Sequence, residues 1–176
     1  MHSLASSTTM KTFLGLFVGI AAAGLVLSLT VHVGALAGLP NPFGKAAWSL
    51  HLGIFIVWIP AVIVSQRMAK GAARQDMWRM ALRGCPKWMK YSTYALFGYA
   101  VLSFVLFFVS TVGKKADEVE ALRGFSGHWM AFYCAAMAML YSFINTPAGE
   151  VRCVNGHTCS PLANYCEVYG QPVQKV

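Results

Sequence analysis

Apolar residues in this chain are gathered into four long runs separated by polar and proline-containing segments. The runs cover residues 13–36, 46–65, 91–112 and 125–144, and none of them contains Asp, Glu, Lys or Arg. A helix needs about 20 mostly apolar residues to cross a bilayer, and each run reaches that length. The pattern therefore predicts an all-α fold, with four transmembrane helices in an antiparallel bundle.

The segments outside the runs complete the predicted domain organisation. Residues 1–12 are polar and rich in Ser and Thr, and we expect them to be mobile. One membrane domain covers residues 13–146, and residues 147–176 form a short tail that contains three of the five cysteines. The first run is longer than the apolar part of a signal peptide, about 7–15 residues, although Ala35 and Ala37 resemble a cleavage site.

Composition and charge agree with a membrane protein and predict its orientation. Only 11% of the residues are charged, against about 25% in a typical soluble domain. Of the 14 Lys and Arg residues, 10 lie on the side of the N-terminus, the second connection and the tail. Basic residues in short loops stay in the cytoplasm, so we expect a multi-pass protein of the inner or plasma membrane with both termini inside. The basic residues then predict contact with anionic lipid headgroups and not with nucleic acid.

Small residues on the first predicted helix indicate close helix packing. Gly15, Gly19 and Ala23 follow one another at four-residue spacing. Such a stripe lets two helix backbones approach closely in lipid. We expect it to pack against a neighbouring helix of the same bundle. The alternative is an interface in a membrane protein complex or homo-oligomer.

Three histidines are candidate cofactor ligands. His32, His51 and His128 lie near ends of the runs, and the predicted threading places all three on the exoplasmic side. Imidazole binds zinc, copper and iron, and ionisable groups within a membrane are often functional. We therefore consider haem b or another metal held by His51 and His128, with His32 as a supporting hydrogen-bond donor. The alternative is ordinary hydrogen bonding at helix ends, where polar side chains reach the interface.

The tail has two short segments in which metal-ligand residues accompany turn residues. The first pairs Cys153 with His157 around an Asn-Gly turn, and the second reads Ala-Asn-Tyr-Cys-Glu-Val-Tyr-Gly over residues 163–170. These segments resemble the two knuckles of a short zinc ribbon. Tyr169 stands where a ribbon has its last cysteine, and structural zinc requires four ligands. The resemblance implies zinc bound by Cys153, His157, Cys159 and Cys166, and the alternative is a metal-free ribbon or plain tail.

Catalytic motifs are missing from the sequence. There is no Walker A, G-x-S-x-G or H-E-x-x-H pattern, and no acidic residue in any run that would indicate a proton-coupled transporter. The helical part with its tail looks like bacterial four-helix membrane proteins that carry ribbon-like tails. We therefore expect an accessory or scaffold subunit and lean against an enzyme. The alternative is a membrane redox subunit with a cofactor on His51 and His128.

Overall fold

The computed structural model describes residues 2–69, 73–146, 151–159, 165–166 and 168–173. In these residues the helices are α1 (His2–Leu36), α2 (Ser49–Met68), α3 (Met77–Ala81), α4 (Lys87–Thr111) and α5 (Glu118–Asn145). Short 3₁₀ turns precede α2 and α3, at Gly44–Trp48 and Arg74–Asp76. In the tail, strands β1 (Val151–Arg152) and β2 (Thr158–Cys159) pair in antiparallel fashion.

Three helical segments are long and apolar enough to cross a membrane. They are Thr9–Leu36, Gly44–Met68 and Lys87–Thr111. These segments contain or largely overlap the first three predicted runs, so the prediction of helices long and apolar enough to cross a membrane is confirmed for three of the four runs. Helix α5 contains the fourth run but does not reach the same apolarity.

The reason for the lower apolarity of α5 is its position in the fold. Helix α5 packs against α1, α2 and α4, and most of its residues are buried. The outer helices each bury one stripe only; in α2 it consists of Ile54, Val57, Ala61, Val64 and Met68. Spacings of three and four residues place such a stripe on one face of a helix. Since α5 contacts protein on several sides, it does not need the apolar surface of a helix surrounded by lipid.

Hydrogen bonds at one end of the bundle join α1 and α2 to α5. The Arg123 guanidinium, near the start of α5, donates to the carbonyl of Ala35 near the end of α1 over 3.1 Å. The Tyr133 hydroxyl, further along α5, donates to the carbonyl of Leu50 at the start of α2 over 2.8 Å. The end of α1 and the start of α2 therefore lie beside the first half of α5.

Helix α4 runs antiparallel to α5. The backbone N–H of Gly84, just before α4, donates to the Ser142 hydroxyl near the end of α5 over 2.9 Å. At the other end of α4, the Phe107 ring lies against Gly124, so closely that a Cβ there would overlap it. Consecutive long helices thus alternate in direction along the chain.

The helices extend beyond the apolar runs because polar residues continue them. Helix α1 begins at His2, since no Gly or Pro interrupts the segment that we expected to precede it. Helix α5 begins at Glu118, because Asp117 forms a capping box with Glu120. The apolar runs therefore predicted the apolar part of each long helix but not its ends.

The stripe of small residues on α1 faces outward. A Cβ at Gly15 or Gly19 would have no atom within 4 Å, and Ala23 is exposed. The prediction that these residues pack inside the bundle is wrong. Helix α1 approaches α5 closely at the adjacent Gly24, which lies against the ring of Tyr133.

Candidate functional site

The tail hairpin brings Cys153 and His157 together. The N–H of Gly156 donates to the Cys153 carbonyl over 2.8 Å, and the Cys153 N–H donates to the His157 carbonyl over 2.9 Å. Gly156 has φ +79°, a left-handed conformation that glycine adopts without a steric penalty. As a result, the Cys153 sulfur and the His157 Nδ1 lie 3.8 Å apart.

A second tight turn holds Cys166. The Gly170 N–H donates to the Cys166 carbonyl over 2.7 Å, and Gly170 has φ +65°. Backbone N–H groups of Val168 and Tyr169 donate to the Cys166 sulfur and lower the pKa of this thiol. Donors directed at a sulfur stabilise the thiolate, which is the form that binds metals.

The two turns form a candidate metal centre. Ligand atoms of Cys153, His157 and Cys166 all lie within 4.8 Å of one another. Around a tetrahedral zinc ion the corresponding sulfur and nitrogen atoms lie about 3.5–3.8 Å apart, so a small contraction suffices. The Cys153–His157–Cys166 cluster could therefore hold a metal ion.

The fourth predicted ligand, Cys159, lies beside this cluster but outside it. Cys159 is buried together with Cys153, Cys166 and Val173. Burial and the neighbouring thiols of Cys166 and Cys153 raise the pKa of the Cys159 thiol. Its sulfur also contacts the carbonyl of His157 at 3.6 Å. The Cys159 thiol therefore lies close to the three residues of the cluster without belonging to it.

Tyr169 packs against the candidate centre. Its ring centroid lies 5.0 Å from that of His157, with the ring planes 50° apart. The residue at the position of a ribbon's last cysteine thus covers the imidazole with an aromatic ring. Ala163, which contributes to the ribbon resemblance, lies outside the described residues.

In the bundle, His32 is part of a hydrogen-bonded chain across three helices. The Ser126 hydroxyl of α5 donates to the Leu122 carbonyl and therefore accepts from His32 Nδ1 over 2.8 Å. His32 Nε2 is then left to accept from the Tyr99 hydroxyl of α4 over 2.5 Å. His32 is buried, and both of its ring nitrogens are occupied. This arrangement supports a hydrogen-bonding role for His32.

His51 and His128 come close to each other across α2 and α5. Their ring centroids lie 6.3 Å apart, with the planes 22° from parallel. The indole N–H of Trp129 donates to His51 Nδ1 over 3.0 Å. An indole nitrogen only donates, so in the neutral ring the proton of His51 is on Nε2. In the described part of the chain, the His128 ring has no hydrogen-bond partner.

The hydrogen bonds of His51 differ from those of a typical metal-bound histidine. A metal-bound histidine normally donates its second ring N–H to an acceptor. His51 instead accepts at Nδ1 from Trp129, and it presents a proton at Nε2. Haem b or another metal on His51 and His128 stays a prediction.

Comparisons with known proteins add no assignment to these residues. No protein-family model, no curated protein and no solved structure matches the chain. The likeness of the tail to a zinc ribbon therefore depends on its own two turns and on the Cys153–His157–Cys166 cluster.

Sequence reasoning missed the partners of the histidines. Tyr99 belongs to an aromatic stripe typical of packing, and Ser126 and Trp129 are ordinary residues of an apolar run. In the sequence, Ser126 and Trp129 stand out only because they lie close to His128 along α5. That proximity does not identify a partner on another helix. These contacts depend on helix rotation, and the hydrophobic pattern specifies helix rotation only coarsely.

Proposed function

We propose that this chain is a membrane protein of four crossing helices whose cytoplasmic tail binds one zinc ion and serves as an accessory or scaffold module. Three helices are apolar enough to cross a membrane, and α5 packs along all of them. This packing supports a fourth crossing by α5. The excess of basic residues beside the N-terminus, the second connection and the tail supports cytoplasmic termini and contact with anionic lipid headgroups.

The cluster of Cys153, His157 and Cys166 is the observation that carries the proposal. Thiolate and imidazole ligands in tetrahedral geometry suit zinc, and Cys159 is the fourth ligand of a closed structural site. In a reducing cytoplasm these thiols are available to a metal and do not form disulfides.

The surface of the tail supports a role in binding a partner. Val154, Tyr165, Val168 and Tyr169 are large side chains, and each is more than half exposed. Binding of zinc to such a small module contributes to its folding and would keep these side chains in fixed positions. Large apolar side chains held at the surface of a small module are typical of a protein contact site.

The test is the zinc content of the purified protein. We expect about one zinc per chain in the wild type and its loss in Cys166→Ser, because three remaining ligands leave an open and weaker site. Cys85→Ser is the matched control. The Cys85 thiol donates to the Ala138 carbonyl over 3.0 Å, a bond that a serine can also form. Wild-type protein without zinc, or equal zinc loss in both variants, would contradict the proposal.

A further inference from the structure

A cleft opens on the surface of the bundle where α3 packs against the end of α2. We call it the α2–α3 cleft, and its volume is about 210 Å³. Its lining side chains come from three helices and are mostly apolar; they include Trp58, Val62 and Ser65 of α2, Met77 and Trp78 of α3, and Met139 of α5. On α2 the lining extends from Trp58 to Ala69, about 16 Å along the helix. The cleft therefore begins within a segment apolar enough to cross a membrane and reaches its end.

Both walls of the cleft are held in place by the bundle. On the α3 side, the side chains of Met80 and Leu82 are fully buried and anchor the short helix, while Trp78 stays 44% exposed. On the α2 side, the Trp58 ring packs edge-on against Phe132 of α5, with ring centroids 4.7 Å apart. The cleft is thus already formed in the folded chain and open to its surroundings.

The rim of the cleft is basic. Residues 66–90 contain seven Lys and Arg residues and one acid, Asp76. Arg67, Arg74 and Arg79 are exposed, and each lies within three residues of a side chain that lines the cleft. An apolar interior with a cationic rim at the end of a spanning helix is complementary to a lipid that has an anionic headgroup.

The volume of the cleft favours one lipid chain over a partner helix. A single turn of α-helix, about 10 Å wide and 5.4 Å high, occupies roughly 400 Å³, about twice the volume available. An extended hydrocarbon chain is much thinner than a helix. Tryptophan side chains such as Trp58 and Trp78 are also typical of the region where lipid chains meet headgroups.

We propose that the α2–α3 cleft binds one acyl chain of an anionic phospholipid of the cytoplasmic leaflet. The phosphate of this lipid contacts the guanidinium groups of Arg67, Arg74 and Arg79, and its chain lies between Trp58 and Trp78. The inference rests on the cytoplasmic placement of this connection proposed above. It extends the general contact with anionic headgroups to one defined site on the helical bundle.

The experiment measures binding of phosphatidylglycerol to the purified full chain in detergent by native mass spectrometry. Phosphatidylcholine with the same acyl chains is the comparison. We expect one phosphatidylglycerol per chain, bound at least about fivefold more tightly, because each basic side chain near the headgroup contributes about that factor. Glycerol phosphate has the charge but no acyl chain, and it should not compete at the same concentration.

Two variants and a matched control locate the bound lipid. Arg79→Gln removes one charge from the rim and should weaken phosphatidylglycerol binding about fivefold. Ser65→Leu places a larger side chain in the cleft and should also weaken binding; the Ser65 hydroxyl donates to the Val62 carbonyl of its own helix over 2.9 Å, so no contact with another helix is lost. Lys87→Gln removes an exposed charge at the start of α4, a fully described helix that contributes no residue to the lining. It should bind as the wild type does.

Thermal unfolding of each variant separates weaker binding from lost folding, and Arg79→Gln, at an exposed position, should unfold as the wild type does. The proposal is overturned if the two lipids bind equally, if glycerol phosphate competes, or if Ser65→Leu keeps wild-type affinity. It is also overturned if Lys87→Gln weakens binding as much as Arg79→Gln, because the net charge of the connection would then explain the binding. Zinc content should be unchanged in all three variants, so this site and the zinc site can fail separately.

Discussion

The ring of Tyr133 on α5 occupies the space that a side chain at Gly24 on α1 would need. A Cβ built on Gly24 overlaps carbon atoms of the ring, and one built on Gly53 of α2 overlaps the hydroxyl oxygen. The same hydroxyl donates to the carbonyl of Leu50 over 2.8 Å. One tyrosine of the central helix thus contacts two outer helices, and glycine on each of them makes room for it.

A methyl group at Gly24 should therefore destabilise the bundle. Gly24→Ala forces the Tyr133 ring or α1 to move, and overpacking of this kind costs about 1–3 kcal/mol. Gly19→Ala is the matched control on the same helix, because a Cβ there meets no atom within 4 Å. Thermal unfolding in detergent should show a lower midpoint for Gly24→Ala only. Equal midpoints for the two variants would contradict the packing.

The hydrogen-bonded chain through His32 should stabilise the bundle as a unit. His32→Ala leaves the hydroxyls of Ser126 and Tyr99 without their buried partner, and each lost bond costs about 1 kcal/mol. Because Ser126 and His32 are in contact, the double variant with Ser126→Ala should lose less stability than the two single variants added together. Additive losses, measured by chemical or thermal unfolding, would show that the two side chains act independently.

The capping box at the start of α5 should make stability depend on acid pH. The Lys114 ammonium and the Asp117 N–H hold the pKa of Glu120 below its usual value. The resulting stabilisation is present above the pKa of an unfolded glutamate and disappears as the pH falls through the lower, folded value. Unfolding midpoints should therefore drop as the pH falls below about 4.

Glu120→Gln and Asp117→Ala separate the charge from the cap. Glu120→Gln should flatten this part of the pH profile, since the titrating group is gone. Asp117→Ala should cost about 1 kcal/mol at neutral pH, because the side chain accepts from the Glu120 N–H over 2.7 Å. An unchanged acid profile in Glu120→Gln would assign the pH dependence to other carboxylates.

Cysteine labelling should place the connection between α1 and α2 outside the cell and the tail inside. A cysteine replacing Gly44 should react with a membrane-impermeant maleimide in intact cells, and one replacing Gln174 should react only after permeabilisation. The expectation follows from the excess of Lys and Arg on the side of the tail. The reverse pattern would overturn the orientation and the argument for reduced tail thiols.

Tyr169→Cys should restore the ligand that a zinc ribbon has at this position. If Cys159 supplies the fourth thiolate in the wild type, Cys159→Ser should weaken zinc binding in competition with a chelator. The double variant Cys159→Ser, Tyr169→Cys should recover it, because the tight turn after Cys166, closed by the Gly170 N–H on the Cys166 carbonyl, already brings residue 169 beside His157. No recovery would indicate that the tail binds zinc differently from a ribbon.

The sequence by itself was sufficient to predict helices long and apolar enough to cross a membrane and a Cys/His cluster in the tail that could hold a metal ion. Apolar runs of spanning length follow from bilayer thickness, which is a one-dimensional constraint that any chain must satisfy. The pairing of Cys153 with His157 is also local, since a turn around Gly156 closes within five residues of chain. The resemblance of the tail to a zinc ribbon predicted that Cys166 would lie near this pair, and the Cys153–His157–Cys166 cluster agrees with that prediction.

Only the tertiary structure decided which helix is central and what the histidines contact. The hydrophobic pattern does not distinguish a helix that faces lipid from one that faces protein, because both environments accept apolar side chains. The outward position of Gly15 and Gly19 and the buried position of Gly24 differ by a rotation of α1 that spacing alone does not specify. The protonation of His51 likewise depends on Trp129, a donor on another helix. Partners that are distant along the chain are selected by packing, and packing is determined only when all the helices are in place.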